Sequence, residues 1–315
     1  NGGAKQKIYK NNKAVEMHNM AIPRRNLLDQ KMYSVPSTIQ ATRGCPFNCE
    51  FCTVTKFFGR SYRIRPVAEV VDEIKRRPDR LWMFLDDSLV ADPAYAKSLF
   101  KALIPLNITW GAQTSSTITK DPELMDLYAA AGGRSAFIGF ESITADTLNS
   151  MHKRFNKPGK YAEGVLELHR RGIMVMGSFI FGLDGDDLSV FKRTVDFVNA
   201  AKIDVPLYNI LTPFPGTRLY QRMEDEGRII DRDWANFDVC HSVIQPKNMT
   251  SEELQNGYFW AVRETYKLPN ILKRIVRFHR GWKWRLATSY TYMRKAYKLC
   301  PPPIHPEKYA NATTG

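Results

Sequence analysis

Apolar and polar positions along this chain switch repeatedly between a two-residue and a 3.6-residue period, and the switches divide most of it into strand–helix units. Six stretches read as strands: residues 37–41, 80–85, 108–113, 135–140, 174–181 and 205–211. Amphipathic helices are predicted between them at 67–77, 93–104, 122–131, 160–171 and 188–201. The boundary signals agree: Asp92 and Asp121 stand as N-caps ahead of Pro93 and Pro122, and Gly132-Gly133 and Gly172 close two helices. Strands that alternate with helices predict parallel β/α units. Six of them predict an α/β fold, a partial (β/α)6 barrel rather than a closed eight-stranded one.

Three segments follow from the same pattern. Residues 1–35 are polar and basic and read as a lead-in or linker with a short helix around 26–31. Residues 36–216 form the barrel core, and 217–315 a mainly helical, basic extension. In that extension a helix is predicted over 217–226, ended by Gly227. Thr250 and Glu253 mark the start of another that runs to about Lys267. Two more reach Leu299, before Pro301-Pro302-Pro303; the final dozen residues are expected to be disordered.

In parallel α/β folds chemistry gathers at the carboxyl ends of the strands. There the sequence places Asp86-Asp87-Ser88, Gln113-Thr114-Ser115, Glu141-Ser142, Gly182-Leu183-Asp184-Gly185-Asp186 and, after the sixth strand, Thr212 to Thr217. After the first strand comes Cys45-Pro46-Phe47-Asn48-Cys49-Glu50-Phe51-Cys52, a C-x3-C-x2-C spacing in a short loop. Three thiolates so spaced can converge on an iron–sulfur cube and leave its fourth iron open to a small chelating ligand. Zinc would want a fourth Cys or His nearby, and His18 and His152 stand at no such spacing. A non-catalytic module holding a closed cluster or zinc is the competing reading.

At these residues the chain resembles the radical S-adenosylmethionine (SAM) superfamily. Cys45, Cys49 and Cys52 match its cluster motif, and Phe51 the aromatic residue before the third cysteine. The resemblance implies a [4Fe–4S] cluster whose unique iron is chelated by SAM, with reductive cleavage to a 5′-deoxyadenosyl radical. It also implies an electron donor such as flavodoxin or ferredoxin. It extends from about residue 22 to 220. Asp86 and Asp87 fall where the family holds the SAM amino group, in place of its small-residue-plus-Glu form. Glu141 matches a residue that meets the ribose or methionine moiety, and Lys153 and Arg154 fall near a basic residue that pairs with the methionine carboxylate. Gly177 to Gly182 resemble a glycine motif near the adenine. Gln113 and Thr212, at their strand ends, complete the expected SAM contacts.

Gly182-Leu183-Asp184-Gly185, residues 211–217 and Trp234-Ala235-Asn236-Phe237 look like the cobalamin-associated branch, among it hopanoid C-methylases and archaeal tetraether-lipid enzymes. Those carry a cobalamin-binding-type domain for which this chain leaves no room, so cobalamin use is implied by the resemblance and supported by no residue here. Glu167-Leu168-His169-Arg170-Arg171-Gly172 imitates a cobalamin-binding box but sits at a helix end, where His169 reads as an ordinary residue. The implied function is methyl or carbon transfer, or hydrogen abstraction, at an unactivated carbon of a hydrophobic substrate such as a lipid or tetrapyrrole.

Composition changes this picture little. Of five cysteines, Cys240 and Cys300 lie outside the triplet and read as ordinary buried or partly buried residues. An odd total argues for a reducing, cytoplasmic setting. No run of about 18 apolar residues predicts a membrane-spanning helix. Asn1-Gly2-Gly3, with no methionine, points to a piece of something longer. The net charge is +14, and +10 of it falls between Lys267 and Gly315. There the cations interleave with Phe278, Trp282, Trp284, Tyr290, Tyr292 and Tyr297. That pattern suits a helical cap over the barrel, a membrane-surface contact peripheral to a lipid bilayer, or, with less support, nucleic acid in a tRNA-modifying relative.

Overall fold

A computed structural model describes residues 14–275 and 282–312, without the side chains of Ile275 and of residues 282–285. Its strands are β1 (Thr38–Ile39), β2 (Thr42–Arg43), β3 (Arg63–Ile64), β4 (Leu81–Phe84), β5 (Thr109–Thr114), β6 (Gly133–Glu141), β7 (Met174–Phe181) and β8 (Val205–Ile210). The helices of the barrel are α1 (Thr53–Phe58), α2 (Val67–Lys75), α3 (Pro93–Leu103), α4 (Pro122–Ala130), α5 (Ala145–Ser150), α6 (Tyr161–Arg170) and α7 (Ser189–Ala200). Those that follow are α8 (Arg218–Asp225), α9 (Ser251–Thr265), α10 (Leu268–Ile275), α11 (Trp282–Leu299) and α12 (Pro306–Ala310).

Six strands form one sheet in the order β1-β4-β5-β6-β7-β8, every neighbour parallel. This is the expected six-unit barrel. Its caps are those read from the sequence. Asp92 accepts from the amides of Ala94 and Tyr95 at 3.0 Å each, and Asp121 from that of Leu124 at 3.0 Å. Gly132 (φ +91°) has no room for a Cβ, which would stand 1.8 Å from the carbonyl oxygen of Ile108. The chain therefore leaves α4 and enters β6 only through glycine.

Alternation along each strand sends one set of side chains to the helices and the other to the barrel lumen. Trp110 of β5 faces outward and packs on Phe84, Phe100 and Tyr128, with ring centroids 4.3–5.3 Å apart. Its indole donates to Ala131 O at 2.8 Å. Burying each such ring stabilises the fold by roughly 1.5–3 kcal/mol. Gln113, on the opposite parity, is exposed on the lumen side.

Three expectations need correction. The lead-in is two short 3-10 turns, Arg25–Leu27 and Gln30–Met32, not one helix over 26–31. Arg25 is buried there because its guanidinium pairs with Glu73 at 2.6 Å, alongside Arg65 on the same carboxylate. The last dozen residues are not simply disordered: Pro306–Ala310 is helical, and Tyr309 is 2% exposed between Phe191 and Trp260. One buried aromatic anchor, with Lys308 paired to Glu253, outweighs the proline-rich approach. The first strand is two residues long, because the chain turns at once into the β2–β3 hairpin.

The extension packs against the last barrel units. Gly257 of α9 lets Phe191 come so close that a Cβ would meet its ring at 2.2 Å. Tyr208 of β8 bonds Thr265 of α9 at 2.7 Å. Tyr292 of α11 stacks on Tyr266 at 6.2 Å, while Tyr290 and Tyr297 are exposed. Arg277, Phe278 and Arg280 lie outside the described residues, as do the side chains of Trp282, Lys283, Trp284 and Arg285. No helix among the described residues is long and apolar enough to cross a membrane.

Candidate functional site

The hairpin β2–β3 pairs Thr42 with Ile64 and Arg43 with Arg63, and so returns the cysteine loop to its starting point. Gly44 opens the loop at φ +89°, where a Cβ would stand 2.2 Å from Ser61 O. Two carboxylates from the end of β4 hold this opening. Asp87 Oδ2 accepts from the Gly44 amide at 2.8 Å. Asp86 is 2% exposed and accepts from the Ala41 amide at 3.1 Å, from the Thr42 hydroxyl at 2.6 Å and from the Thr42 amide. Burial pushes the Asp86 carboxyl up to about 7, against the pull of these donors. Asp86 and Asp87, expected at the SAM amino group, here fasten the backbone that presents Cys45.

The three thiols are free and half-buried. Cys52 stands at the N-cap position of α1 without a side-chain capping bond, and its amide donates to Cys49 O at 3.3 Å. Burial pushes the Cys49 thiol up to about 12; the charge of Lys153 opposes this, and Cys52, Glu141 and Cys45 reinforce it. Burial likewise raises Cys45. The three thiols, Glu141 and Lys153 thus share one electrostatic neighbourhood. A metal that replaces the protons removes the cost of these buried thiolates.

Lys153 Nζ stands 2.5 Å from Glu141 Oε1, with both side chains about nine-tenths buried. Glu141 is left-handed (φ +65°), at the point where the β6–β7 register shifts between Gly139 and Glu141. A side chain at Gly139 would meet Glu141 Oε1 at 2.3 Å and Lys153 Nζ at 2.9 Å, so this glycine makes the room for the pair. The ammonium lies 5.8 Å from the Phe51 ring and 5.7 Å from the Phe155 ring. Phe155 in turn stacks on Phe47 of the cysteine loop at 4.0 Å.

Phe51, Glu141 and Lys153 are therefore brought together beside the cysteines, while Arg154 is exposed. The other expected contacts are placed differently. Thr212 Oγ1 donates to Ile210 O at 3.0 Å. Gly182 (φ +90°) donates its amide to Asp186 at 3.1 Å, and its missing Cβ leaves space for Leu254. Gly177 makes room for Ile203 and Phe140. Gln113 bonds Leu89 only through its backbone carbonyl, at 3.1 Å. His169, in the cobalamin-box look-alike, is buried against Asp204 at 2.7 Å, and Asp204 also accepts from the Val175 amide at 2.8 Å. It fastens α6 to the sheet.

Two supports were not read from the sequence. Asn156 donates to Gly139 O at 3.0 Å and Phe140 O at 2.9 Å, and accepts from Ser116 at 2.5 Å, which braces the end of β6. Glu50, inside the motif, binds Arg222 at 2.8 Å; Arg222 also reaches Asp184 at 2.7 Å, and Arg228 reaches it at 2.8 Å. Partners up to 172 residues apart leave no local signal.

Among the described residues no group of three or more His, Cys, Asp or Glu is disposed to hold a single metal ion. A cube spreads its irons over separate corners and so takes thiolates farther apart than one tetrahedral ion does. The donor set of three cysteines fits such a cluster, which Cys45, Cys49 and Cys52 could hold.

The family model described as the radical SAM superfamily matches residues 39–198, and a domain of unknown function, DUF4070, matches 217–299. The chain is 34% identical over 309 residues to bacteriochlorophyllide d C-12(1)-methyltransferase of Chlorobaculum tepidum, covering 95% of this chain and 67% of that protein. It is 28% identical to hopanoid C-2 methylase of Rhodopseudomonas palustris, over 73% of this chain and 45% of that one. The chain thus spans about half to two-thirds of the length of these relatives. The radical SAM methyltransferase TsrM of Kitasatospora setae, solved with cobalamin and a [4Fe–4S] cluster, shares the fold: TM-score 0.61, 18% identity, 83% of this chain and 61% of that one. With the cysteine triplet in its loop, the six parallel strands and the family match over half its length, the chain belongs to the radical SAM superfamily, whose cofactors are a [4Fe–4S] cluster and SAM.

Proposed function

We propose that this chain is the catalytic portion of a radical SAM methyltransferase that acts on an unactivated carbon of a hydrophobic substrate, of the tetrapyrrole or lipid class. The observation that carries this reading is the Glu141–Lys153 pair, buried beside three thiols at the mouth of the barrel. Relatives named as methyltransferases of a bacteriochlorophyllide and of a hopanoid support methyl transfer and a large apolar substrate.

Bound, the cluster and SAM supply reductive cleavage of a sulfonium; the protein binds, orients and excludes water. Cys45, Cys49 and Cys52 would hold the cluster and leave one iron to SAM. Asp86 and Asp87 keep their loop in place. Lys153 can turn from Glu141 to the methionine carboxylate, and Glu141 can then accept from an ammonium or ribose hydroxyl. Phe51 shields the ion pair from water. No residue of this chain is assigned to cobalamin.

Anaerobic reconstitution tests the reading. About four irons per chain are expected, with 5′-deoxyadenosine and methionine on adding SAM and a reductant such as reduced flavodoxin, and S-adenosylhomocysteine once a methyl acceptor is also supplied. Full turnover by a Cys49→Ala variant would refute it.

A contact with a lipid surface is a second element of the proposal. Tyr290, Arg294, Tyr297 and Lys298 recur at one-turn spacing on α11, and all are exposed. Flotation with anionic liposomes, set against an RNA gel shift at physiological salt, separates a membrane from a nucleic-acid partner.

A further inference from the structure

A cavity of about 870 Å³ opens at the opposite end of the barrel from the cysteines. Its wall is a rung of lumen-facing residues in register across four strands: Met83 on Gly111, Gly111 on Ser135, Ser135 on Met174. Met176, one step higher, also lines it. The next lumen position above Met176 is Ser178, which pairs with Gly139 beneath the Glu141–Lys153 pair. Two residues of strand rise roughly 7 Å. The cavity and the cofactor mouth are thus successive storeys of one lumen.

Two features of the cavity bear on its occupant. The thioethers of Met83, Met174 and Met176 are unbranched and polarisable, and they adapt to irregular apolar shapes. At the rim stand two arginines of unlike condition. Arg171 is neutralised by Asp126 at 2.6 Å and Glu167 at 2.7 Å. Arg134 is exposed, and among the described residues it donates only to the backbone oxygens of Ala129 and Gly133. An apolar chamber of drug-ligand size with an unneutralised guanidinium at its edge complements a molecule with a bulky apolar body and one anionic group.

We infer that this chamber is the substrate's body-binding site, filled from the amino-terminal end of the strands by an apolar molecule whose carboxylate or phosphate rests on Arg134. The carbon to be modified then points up the lumen to the cysteine loop. The inference rests on the proposed function for the direction of reaction, but the binding it asserts does not require turnover.

The experiment measures equilibrium binding to the full chain, without SAM or reductant, of two probes: protoporphyrin IX for a tetrapyrrole carboxylate, and 1-oleoyl lysophosphatidic acid for a lipid phosphate. One of them is expected to bind in the micromolar range. Arg134→Glu, at an exposed position, should weaken it about tenfold. Gly111→Leu should abolish it: a Cβ there meets the Ser135 Cβ at 3.3 Å, the Ser135 carbonyl oxygen at 3.4 Å and Met83 at 3.6 Å, so Ser135 must give by a few tenths of an ångström, and the rest of the side chain then occupies the chamber. Circular dichroism and iron content check that both variants fold. Porphyrin binding with this pattern supports the tetrapyrrole arm, and lysophosphatidic acid binding the lipid arm. Binding of neither, or binding indifferent to both substitutions, overturns the inference. A chain that binds a probe in this way yet never cleaves SAM would leave the chamber standing and defeat the radical reading instead.

Discussion

Lys153 and Glu141 face each other across 2.5 Å inside the barrel mouth, joined by a left-handed turn of backbone at Glu141 and by the absence of a side chain at Gly139. Removing one partner strands the other as a buried charge, at a cost of about 3–5 kcal/mol. Lys153→Ala should therefore lower the urea midpoint markedly. The paired change Lys153→Met with Glu141→Gln should restore most of that stability and still bind SAM at least tenfold more weakly in equilibrium dialysis. A double variant with normal SAM affinity would remove the pair from the cofactor site.

Asp86 fastens the start of the cysteine loop through the Ala41 and Thr42 amides. Asp86→Asn keeps the shape but replaces one acceptor oxygen by a donor that faces amide hydrogens. A loss of about 1–3 kcal/mol is expected, together with a reconstituted cluster that loses iron faster to a chelator. Iron release is followed at 410 nm; unchanged release would show that the clamp is dispensable.

Gly44→Ala should be more severe than its size suggests. The new methyl would stand 2.2 Å from Ser61 O, in a backbone region that L residues seldom adopt. The variant is expected to keep the barrel's circular dichroism but to incorporate little iron. Normal iron content would mean that the hairpin relaxes freely.

Asp186 is buried beneath the Gly182–Leu183 turn and accepts from both amides, at 3.1 and 3.0 Å. Burial pushes its carboxyl up to about 7, above the ordinary value near 3.9. Between those values the folded chain binds more protons than the unfolded one, so this group's contribution to stability falls as pH rises from about 4 to 7 and is then level. Asp186→Asn should flatten that part of the profile of urea midpoint against pH. A profile of unchanged slope would count against the shift.

Tyr309→Ala tests the terminal anchor. The ring fills a site against Phe191 and Trp260 at 2% exposure. Its loss should cost about 3–5 kcal/mol and expose the 300–310 segment to limited proteolysis. Intact resistance to protease would show that other contacts hold α12.

The six β/α units, their caps and the cysteine loop are legible in the amino-acid pattern alone. Those signals act over short distances: a period of two or 3.6, an Asp before a Pro, three thiols within eight residues. Resemblance to the superfamily brought forward Phe51, Glu141 and Lys153, but could not separate Lys153 from Arg154, because adjacent residues differ only in the direction they face. Tertiary structure alone decided that one is buried on Glu141 and the other points to solvent. It alone turned Asp86 inward onto backbone amides, drew Arg222 to Glu50 and seated Tyr309. It also stacked Met83, Gly111, Ser135 and Met174 into one chamber wall. Each of these depends on strand register and on burial, which are set when distant segments pack together and the lowest joint free energy fixes where every side chain points.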